Sequence, residues 1–267
     1  MIKKTLSIVI PCYRIDKNQK YLNFLLETIK NQKTSAFHLE KIILVNDSPE
    51  YILEQYIDPC FINNNLIIKS NLANSGQAYS RNVGLNLVNS EFVHFIDQDD
   101  YISTDFYQNI QSDADILISK CILTKNGIQI NHASFFKHIW LRSFNKLSKL
   151  NFFLFFDNIV LSPGQAVFKT QIIKKINGFP ELKNFGSDDF GLMYTLTKFN
   201  YKYSYISNSL YFHRLHDIQG KQFLNMVASR HEFLKFNNGF FNWLCKSELF
   251  PINMLKKVLY AIFYNRF

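Results

Sequence analysis

EFVHFIDQDDYIS, residues 91–103, decides how the chain is read. A short apolar run, Phe92 to Ile96, stops abruptly at Asp97, and Asp99 and Asp100 follow. An apolar run of this length bounded by a polar turn fits a strand buried on both faces. Burying carboxylates is costly unless something cationic meets them. The remainder of the sequence has to supply that cation or recruit it.

Working outward, the first hundred residues repeat the pattern. Leu6 to Ile10 is an apolar run ended by Pro11, and Ile42 to Val45 is ended by Asn46, Asp47 and Ser48. Leu66 to Ile68 is followed by a polar stretch, Ser70 to Gln77. Between these runs, residues 21–31 (Leu22, Leu25, Leu26, Ile29) and Ala78 to Leu87 have helical spacing. Apolar strands separated by helices predict an α/β fold with a mostly parallel sheet flanked by helices. Ligands in such folds sit beyond the carboxyl ends of the strands, where Tyr13, Asp47, Asn74 and Asp97 fall.

Past residue 100 the pattern is less regular. Asn126-Gly127 predicts a hairpin. An aromatic stretch follows, NFFLFFDNIVLSPGQAVF (151–168), and then a second acid cluster, FGSDDFGLMYTL (185–196), opening a helix at Asp188. Beyond 216 the pattern is helical, basic and rich in Phe and Tyr. The expected organisation is 1–100 as one half of a domain, 101–217 as its other half, and 218–267 as a basic, aromatic, helical tail.

The composition is globular: 47% of the 267 residues are hydrophobic and 27 are Phe. The formal charge of +9 favours an anionic partner. The Lys and Arg residues form no long block, so nucleic acid is not expected as that partner. The cysteines, at 12, 60, 121 and 245, lack CxxC spacing and read as reduced thiols in a cytosolic protein. The opening run is too short for a signal peptide and is followed by no small-residue cleavage site. No apolar run reaches the roughly 18 residues of a membrane span.

Asp97 and Asp99 flank one residue, Gln98, so in a tight turn both carboxylates can face one point. Carboxylate oxygens suit magnesium or manganese, and a diphosphate can complete such a site. The alternative is an acidic turn capping a helix from Thr104. A calcium loop fits badly, because its sixth position is Ile102 rather than Gly.

The order of signals resembles glycosyltransferase family 2, inverting nucleotide-sugar transferases with a GT-A fold. The matching segments are LSIVIPCYR (6–14), KIILVNDSPE (41–50), NSGQAYSRNVGL (74–85), FIDQDDYIS (95–103), SPGQAVFKTQIIKKINGFPE (162–181), SDDFGLMYTLTK (187–198) and YFHRLHD (211–217). Each is weak alone, but seven in order are specific. The chain departs from the pattern at Arg14 (usually Asn), Ser48-Pro49 (usually Gly-Ser), Asn177 (usually Gly) and Asp188 (commonly Glu). The first two lie near the expected base and bear on donor selectivity.

The resemblance implies roles. Pro11 and Tyr13 shape the nucleotide pocket, with Tyr13 either facing the base or half-buried at a strand end. Asp47 accepts a hydrogen bond from the base, favouring uracil, or else caps a short helix at Tyr51. Gly76 allows close backbone approach. Arg81 pairs with the acids or the diphosphate. Asp97 touches ribose or a metal-bound water, and Gln98 beside it belongs with the nucleotide-sugar-binding residues. Asp99 binds Mn2+ or Mg2+ directly, with His216 as a further ligand and Arg214 as a cation over the diphosphate. Asp189 is the general base and Asp188 its support, or the pair caps the helix.

The implied partners are a UDP-sugar and a glycan or lipid-linked acceptor in surface-polysaccharide synthesis, such as capsule or lipopolysaccharide. NMLKKVLYAIFYNRF (253–267) either lies peripherally on the inner face of the cytoplasmic membrane or packs as an ordinary helix. A nucleotidyltransferase would want a glycine in PCYRIDKNQ (11–19), which has none. A non-catalytic scaffold relative would be expected to lack Asp99 or the late acid pair, and both are present.

Overall fold

Strand β1 (Lys4–Cys12), buried from Leu6 onward, is an inner strand of the sheet. The structure, a computed structural model, describes residues 3–33, 37–110, 112–130, 135–150, 160–181 and 187–215. All but Ser187 belong to one unit, Met1–Glu181 with Asp188–Ile218. The 218–267 tail, most of the aromatic stretch at 151–168, and His216 lie outside the described residues.

Helix α1 (Ile15–Lys30) leads to β2 (Phe37–Asn46), which pairs parallel with β1. Next come β3 (Leu66–Ser70), parallel to β2, then α2 (Gln77–Asn86), then β4 (Phe92–Phe95), parallel to β1 on its other side. This is the parallel half that the sequence predicts. Helix α1 turns Ile15, Leu22, Leu25, Leu26 and Ile29 inward, as its apolar spacing requires.

The second half of the sheet is mixed. Its elements are β5 (Tyr101–Ile102), β6 (Ile116–Lys125), β7 (Ile128–Ile130), α3 (Phe135–Ser143), β8 (Ala166–Lys169), α4 (Thr170–Lys175), α5 (Asp188–Thr197) and β9 (Tyr203–Arg214). The strand order is β3-β2-β1-β4-β8-β6-β9-β5, with β7 paired to β6. Strand β8 is antiparallel to both β4 and β6, and β9 is parallel to β6. The strands β4, β6 and β9 therefore run the same way, so the acids after β4 and the basic end of β9 emerge on one edge. The Asn126-Gly127 hairpin forms as predicted, with φ of 51° and 78° at its two central residues. Both are positive, as a two-residue turn between twisted strands needs.

Three local expectations are corrected. Pro11 does not end β1, which pairs with β2 as far as Cys12. Val9 faces β4, and the N–H of Ile96, the residue after that strand, donates to the Val9 carbonyl at 3.0 Å. By alternation Pro11 faces the same side, one rung past the β4 ladder, where a missing N–H leaves no strand bond unmade. Residues 104–109 form turns, so the DQDD acids cap no helix there. Asp47 caps nothing at Tyr51; the Ser48 N–H is held by Asn46 Oδ1 instead, at 3.0 Å.

Helix α2 lies close against the sheet at Gly84, where an added Cβ would sit 2.3 Å from Val9 Cγ1 and 3.3 Å from Val45 Cγ2. Both neighbours belong to fully buried strand residues with no room to retreat. Gly84→Ala should therefore destabilise the fold by about 1–3 kcal/mol, the usual range for overpacking. A urea titration read by circular dichroism measures this, and an unchanged midpoint would contradict the packing.

Candidate active site

The cation that the buried acids require is Arg81. Its position on α2 is 2% exposed, and its guanidinium faces both acid clusters. Nη2 pairs with Asp97 Oδ1 at 2.5 Å, and Nη1 pairs with Asp188 Oδ2. The ring of Phe179 lies against the same guanidinium, 5.0 Å from Cζ to centroid. Two acid clusters about ninety residues apart in sequence thus meet on one arginine. Of the partners expected for Arg81, the structure shows the acids.

The remaining bonds of Asp97 fix its orientation. Gln77 Nε2 donates to Oδ1 at 2.6 Å, and Ser162 Oγ donates to Oδ2 at 3.1 Å. Ser162 also meets the Tyr211 hydroxyl at 2.9 Å. That hydroxyl donates to Asp100 Oδ2, which is also bonded to His213 Nδ1 at 2.9 Å. Asp100 Oδ1 accepts the Arg214 N–H at 2.8 Å. Asp100, the third acid of the turn, is thus wholly buried and structural, tying the turn to the end of β9. Burial would push His213 down, but the Asp100 carboxylate overrides it and holds the imidazole at about 9. Gly164 leaves room for the Tyr211 ring, which an added Cβ would meet at 2.4 Å.

Arg214, the cation expected over the diphosphate, stands at the end of β9 beside the acid turn. Its guanidinium donates to the Asp99 carbonyl and stands over the rings of Tyr21, Phe24 and Tyr101, 4.8, 5.3 and 4.6 Å from their centroids. In this arrangement it braces the acid turn against α1 through cation–π contacts.

Asp47 is buried and organises the loop before α2. Oδ1 accepts from Asn71 Nδ2 (2.7 Å) and the Ser75 N–H (2.8 Å), and Oδ2 accepts from the Gly76 N–H (2.9 Å). Gly76 has φ 90° and ψ 166° at the start of α2, a conformation that glycine adopts without a Cβ penalty. Tyr13, at the end of β1, is 49% exposed, so its ring is available at the sheet edge. Gln98 turns back to it. Its amide accepts the Tyr13 N–H at 3.1 Å and donates to the Tyr13 carbonyl at 2.7 Å. Both polar groups of the Gln98 side chain are thus bonded to the Tyr13 backbone.

Asp188 and Asp189 open α5. Asp188 is the partner of Arg81. Asp189 accepts the Phe190 N–H on Oδ1 at 2.7 Å. Burial first, and the neighbouring Asp188 charge second, push the Asp189 carboxyl up to about 7. A carboxyl held there can accept a proton near neutral pH. Asp99 is half-buried on the same turn as Asp97. No group of three or more His, Cys, Asp or Glu that could hold a metal occurs among the described residues.

The structure therefore brings Asp97, Asp188 and Arg81 together, and gathers Tyr13, Gln98 and Asp47 at the adjoining strand ends. Sequence reasoning missed Ser162, Tyr211, Asn71 and Asn82. Asn82 clamps the turn after α4: it donates to the Phe179 carbonyl (2.9 Å) and accepts the Phe179 N–H (2.8 Å). Its signal was adjacency to Arg81, and that of Ser162 and Tyr211 was membership in segments already singled out.

Comparison with known proteins agrees with the fold. Residues 7–176 match the family model described as Glycosyl transferase family 2. The chain is similar to the minor teichoic acid biosynthesis protein GgaB of Bacillus subtilis (strain 168), 29% identical over 107 residues. That match covers 39% of this chain and 11% of GgaB. Its fold is similar to that of S. aureus TarS 1-349 in complex with UDP (TM-score 0.59, 21% identity, 88% of this chain, 66% of TarS). For the same protein with UDP-GlcNAc the TM-score is 0.61 at 22% identity, covering 88% and 65%. The chain thus spans a small part of its curated relative and just under two thirds of these TarS chains.

Arg81→Met should destabilise the protein by about 3–5 kcal/mol, because it leaves Asp97 and Asp188 without their buried cation. Thermal or urea unfolding reads the loss, and raising acidity should recover part of it by neutralising the stranded carboxylates. A stability change within about 0.5 kcal/mol of wild type would contradict the bridging role.

Proposed function

The chain belongs to glycosyl transferase family 2, and on that premise we propose that it is an inverting glycosyltransferase. It moves one sugar from a nucleotide-diphosphate donor, a UDP-sugar, to a hydroxyl of a glycan or lipid-linked oligosaccharide in surface-polysaccharide synthesis. The observation that carries this reading is the meeting of the two acid clusters on Arg81. That contact sets a helix-borne acid pair beside the strand-end turn where α/β folds receive their ligand. The UDP and UDP-GlcNAc complexes of TarS support the choice of donor, and GgaB supports a teichoic-acid type of polymer.

The chemistry follows from the residues. Tyr13 offers its ring to the base, and the remaining acceptor capacity of Asp47 Oδ2 suits the uracil ring N–H. Asp189 takes the proton of the acceptor hydroxyl as the new bond to the anomeric carbon forms. The bond from that carbon to the diphosphate oxygen breaks at the same time, and UDP leaves with the electron pair on the face opposite the attack. Asp188, paired with Arg81, holds the first turn of α5 in place for that exchange. Asp97, with both oxygens engaged by Arg81, Gln77 and Ser162, has little capacity left for a metal. Asp99 is the carboxylate that would hold Mn2+ or Mg2+, completed by phosphate oxygens and water, a donor set that suits these ions. When bound, the ion supplies Lewis-acid neutralisation of the leaving diphosphate.

Asp189→Asn should lower acceptor transfer by about 100-fold or more, the range for loss of a general base, with donor binding retained. In wild type, transfer should rise with pH through about 7 as Asp189 gives up its proton, and the Asn variant should lack that limb. The same raised value means that the folded state holds this proton more tightly than the unfolded chain. The stability contribution of the group therefore declines as pH climbs from about 4, its unfolded range, to about 7. Asp188→Asn should act chiefly on stability, because it removes a partner of a buried cation. A pH–rate profile of Asp189→Asn superimposable on wild type would remove Asp189 from the role. Chelation with EDTA should abolish transfer and manganese should restore it; full activity in excess EDTA would overturn the metal assignment.

A further inference from the structure

We infer that Gln98 is a positioning residue that couples the nucleotide end of the donor site to the acid turn, acting through the backbone of Tyr13 rather than by touching the donor. The inference rests on the reading of this site as a nucleotide-sugar site.

The register of β1 and β4 shows why a side chain is needed there. Val9 pairs with Phe95, and the Ile96 N–H donates to the Val9 carbonyl. Alternate residues along β1 and just past its end, Val9, Pro11 and Tyr13, present their backbone groups to the β4 side. Pro11 has no N–H to present. By Tyr13 the chain after β4 has turned away into the DQDD turn, closed by the Asp100 N–H donating to the Asp97 carbonyl at 3.0 Å. The N–H and C=O of Tyr13 thus have no strand to meet. The Gln98 amide carries one acceptor and one donor, the pair that a strand residue would supply, and both are used on Tyr13. It acts as one further rung, built from a side chain.

The rung is buried, with Gln98 9% exposed, while the Tyr13 ring it supports is 49% exposed. The following residue is fixed from the other flank. The Arg14 N–H donates to Ser48 Oγ at 2.9 Å, and Arg14 sits at φ 48°. Tyr13 is therefore held between the DQDD turn and the turn after β2. Because Gln98 stands between Asp97 and Asp99, a shift of the Tyr13 backbone is passed directly to the acid turn. An alanine or serine at position 98 would be too short to make either bond.

The test is a double-mutant cycle read by UDP binding in the presence of manganese, using calorimetry on the full chain. Gln98→Met keeps the length and much of the volume and removes both hydrogen bonds. It should weaken UDP binding by about tenfold and raise the KM for the donor with kcat changed less than about threefold. In a Tyr13→Ala background the same change should add less than twofold, since the residue it acts through has lost its ring. Gln98→Glu, which keeps an acceptor for the Tyr13 N–H but loses the donor, should fall on the weak side of wild type. Binding by Gln98→Met equal to wild type would overturn the inference and leave the nucleotide-sugar reading intact. Additive losses in the cycle would overturn it too, by showing direct contact with the ligand or a general structural role. A wild-type protein that fails to bind UDP would overturn the underlying reading itself.

Discussion

One buried guanidinium organises this site. Arg81 lies on a helix packed against the sheet and pairs with one carboxylate from the end of β4 and one from the start of α5. A lone ionised group with so little exposure would be prohibitively costly, as would either carboxylate alone. Together they are tolerable, and the fold is constrained to keep all three in register. Through this contact the parallel half of the sheet is tied to a helix of the mixed half.

Around that ion pair, polar side chains do the work that regular structure leaves undone at strand ends. Asp47 gathers the N–H groups of the loop before α2, Gln98 completes the edge of β1, and Asp100 ties its turn to Tyr211, His213 and Arg214. A sheet edge that receives a ligand cannot be covered by further strands, so its backbone groups need such partners. These buried polar residues therefore fix the turns and strand ends around the candidate site.

Two departures from the family pattern have local explanations. The Ser48 hydroxyl accepts the backbone N–H of residue 14 at 2.9 Å, a bond that glycine at 48 could not make. That bond does not depend on the side chain at 14, and nothing in the structure explains the arginine there. Asn177 has φ 62°, a left-handed conformation that asparagine tolerates better than most residues. It can stand where glycine is usual. Gly178 beside it has no such latitude, because an added Cβ would lie 2.3 Å from Asn82 Oδ1, the atom that holds the Phe179 N–H.

The sequence by itself determined the parallel half of the fold, because β1, β4 and the end of β2 are apolar runs buried on both faces and the edge strand β3 keeps a short apolar run between polar turns. It also determined that acids would collect at the carboxyl edge, since strand direction and motif order suffice to place them there. The hairpin at Asn126-Gly127 was equally legible, because its positive φ values restrict the residue choice. Only the tertiary structure decided what those acids do. Arg81 is sixteen residues from Asp97 and 107 from Asp188 in the chain, and no periodicity links them. The same holds for Gln98 with Tyr13, 85 residues apart, and for Tyr211 with Asp100, 111 apart. Hydrophobic patterning records which face of an element is buried. It does not record which buried polar group meets which, because that pairing depends on strand order and on the side from which each helix returns. Asp97 and Gln98 were therefore legible in the sequence as candidate site residues, while only folding could pair one with a buried arginine and the other with the backbone of Tyr13.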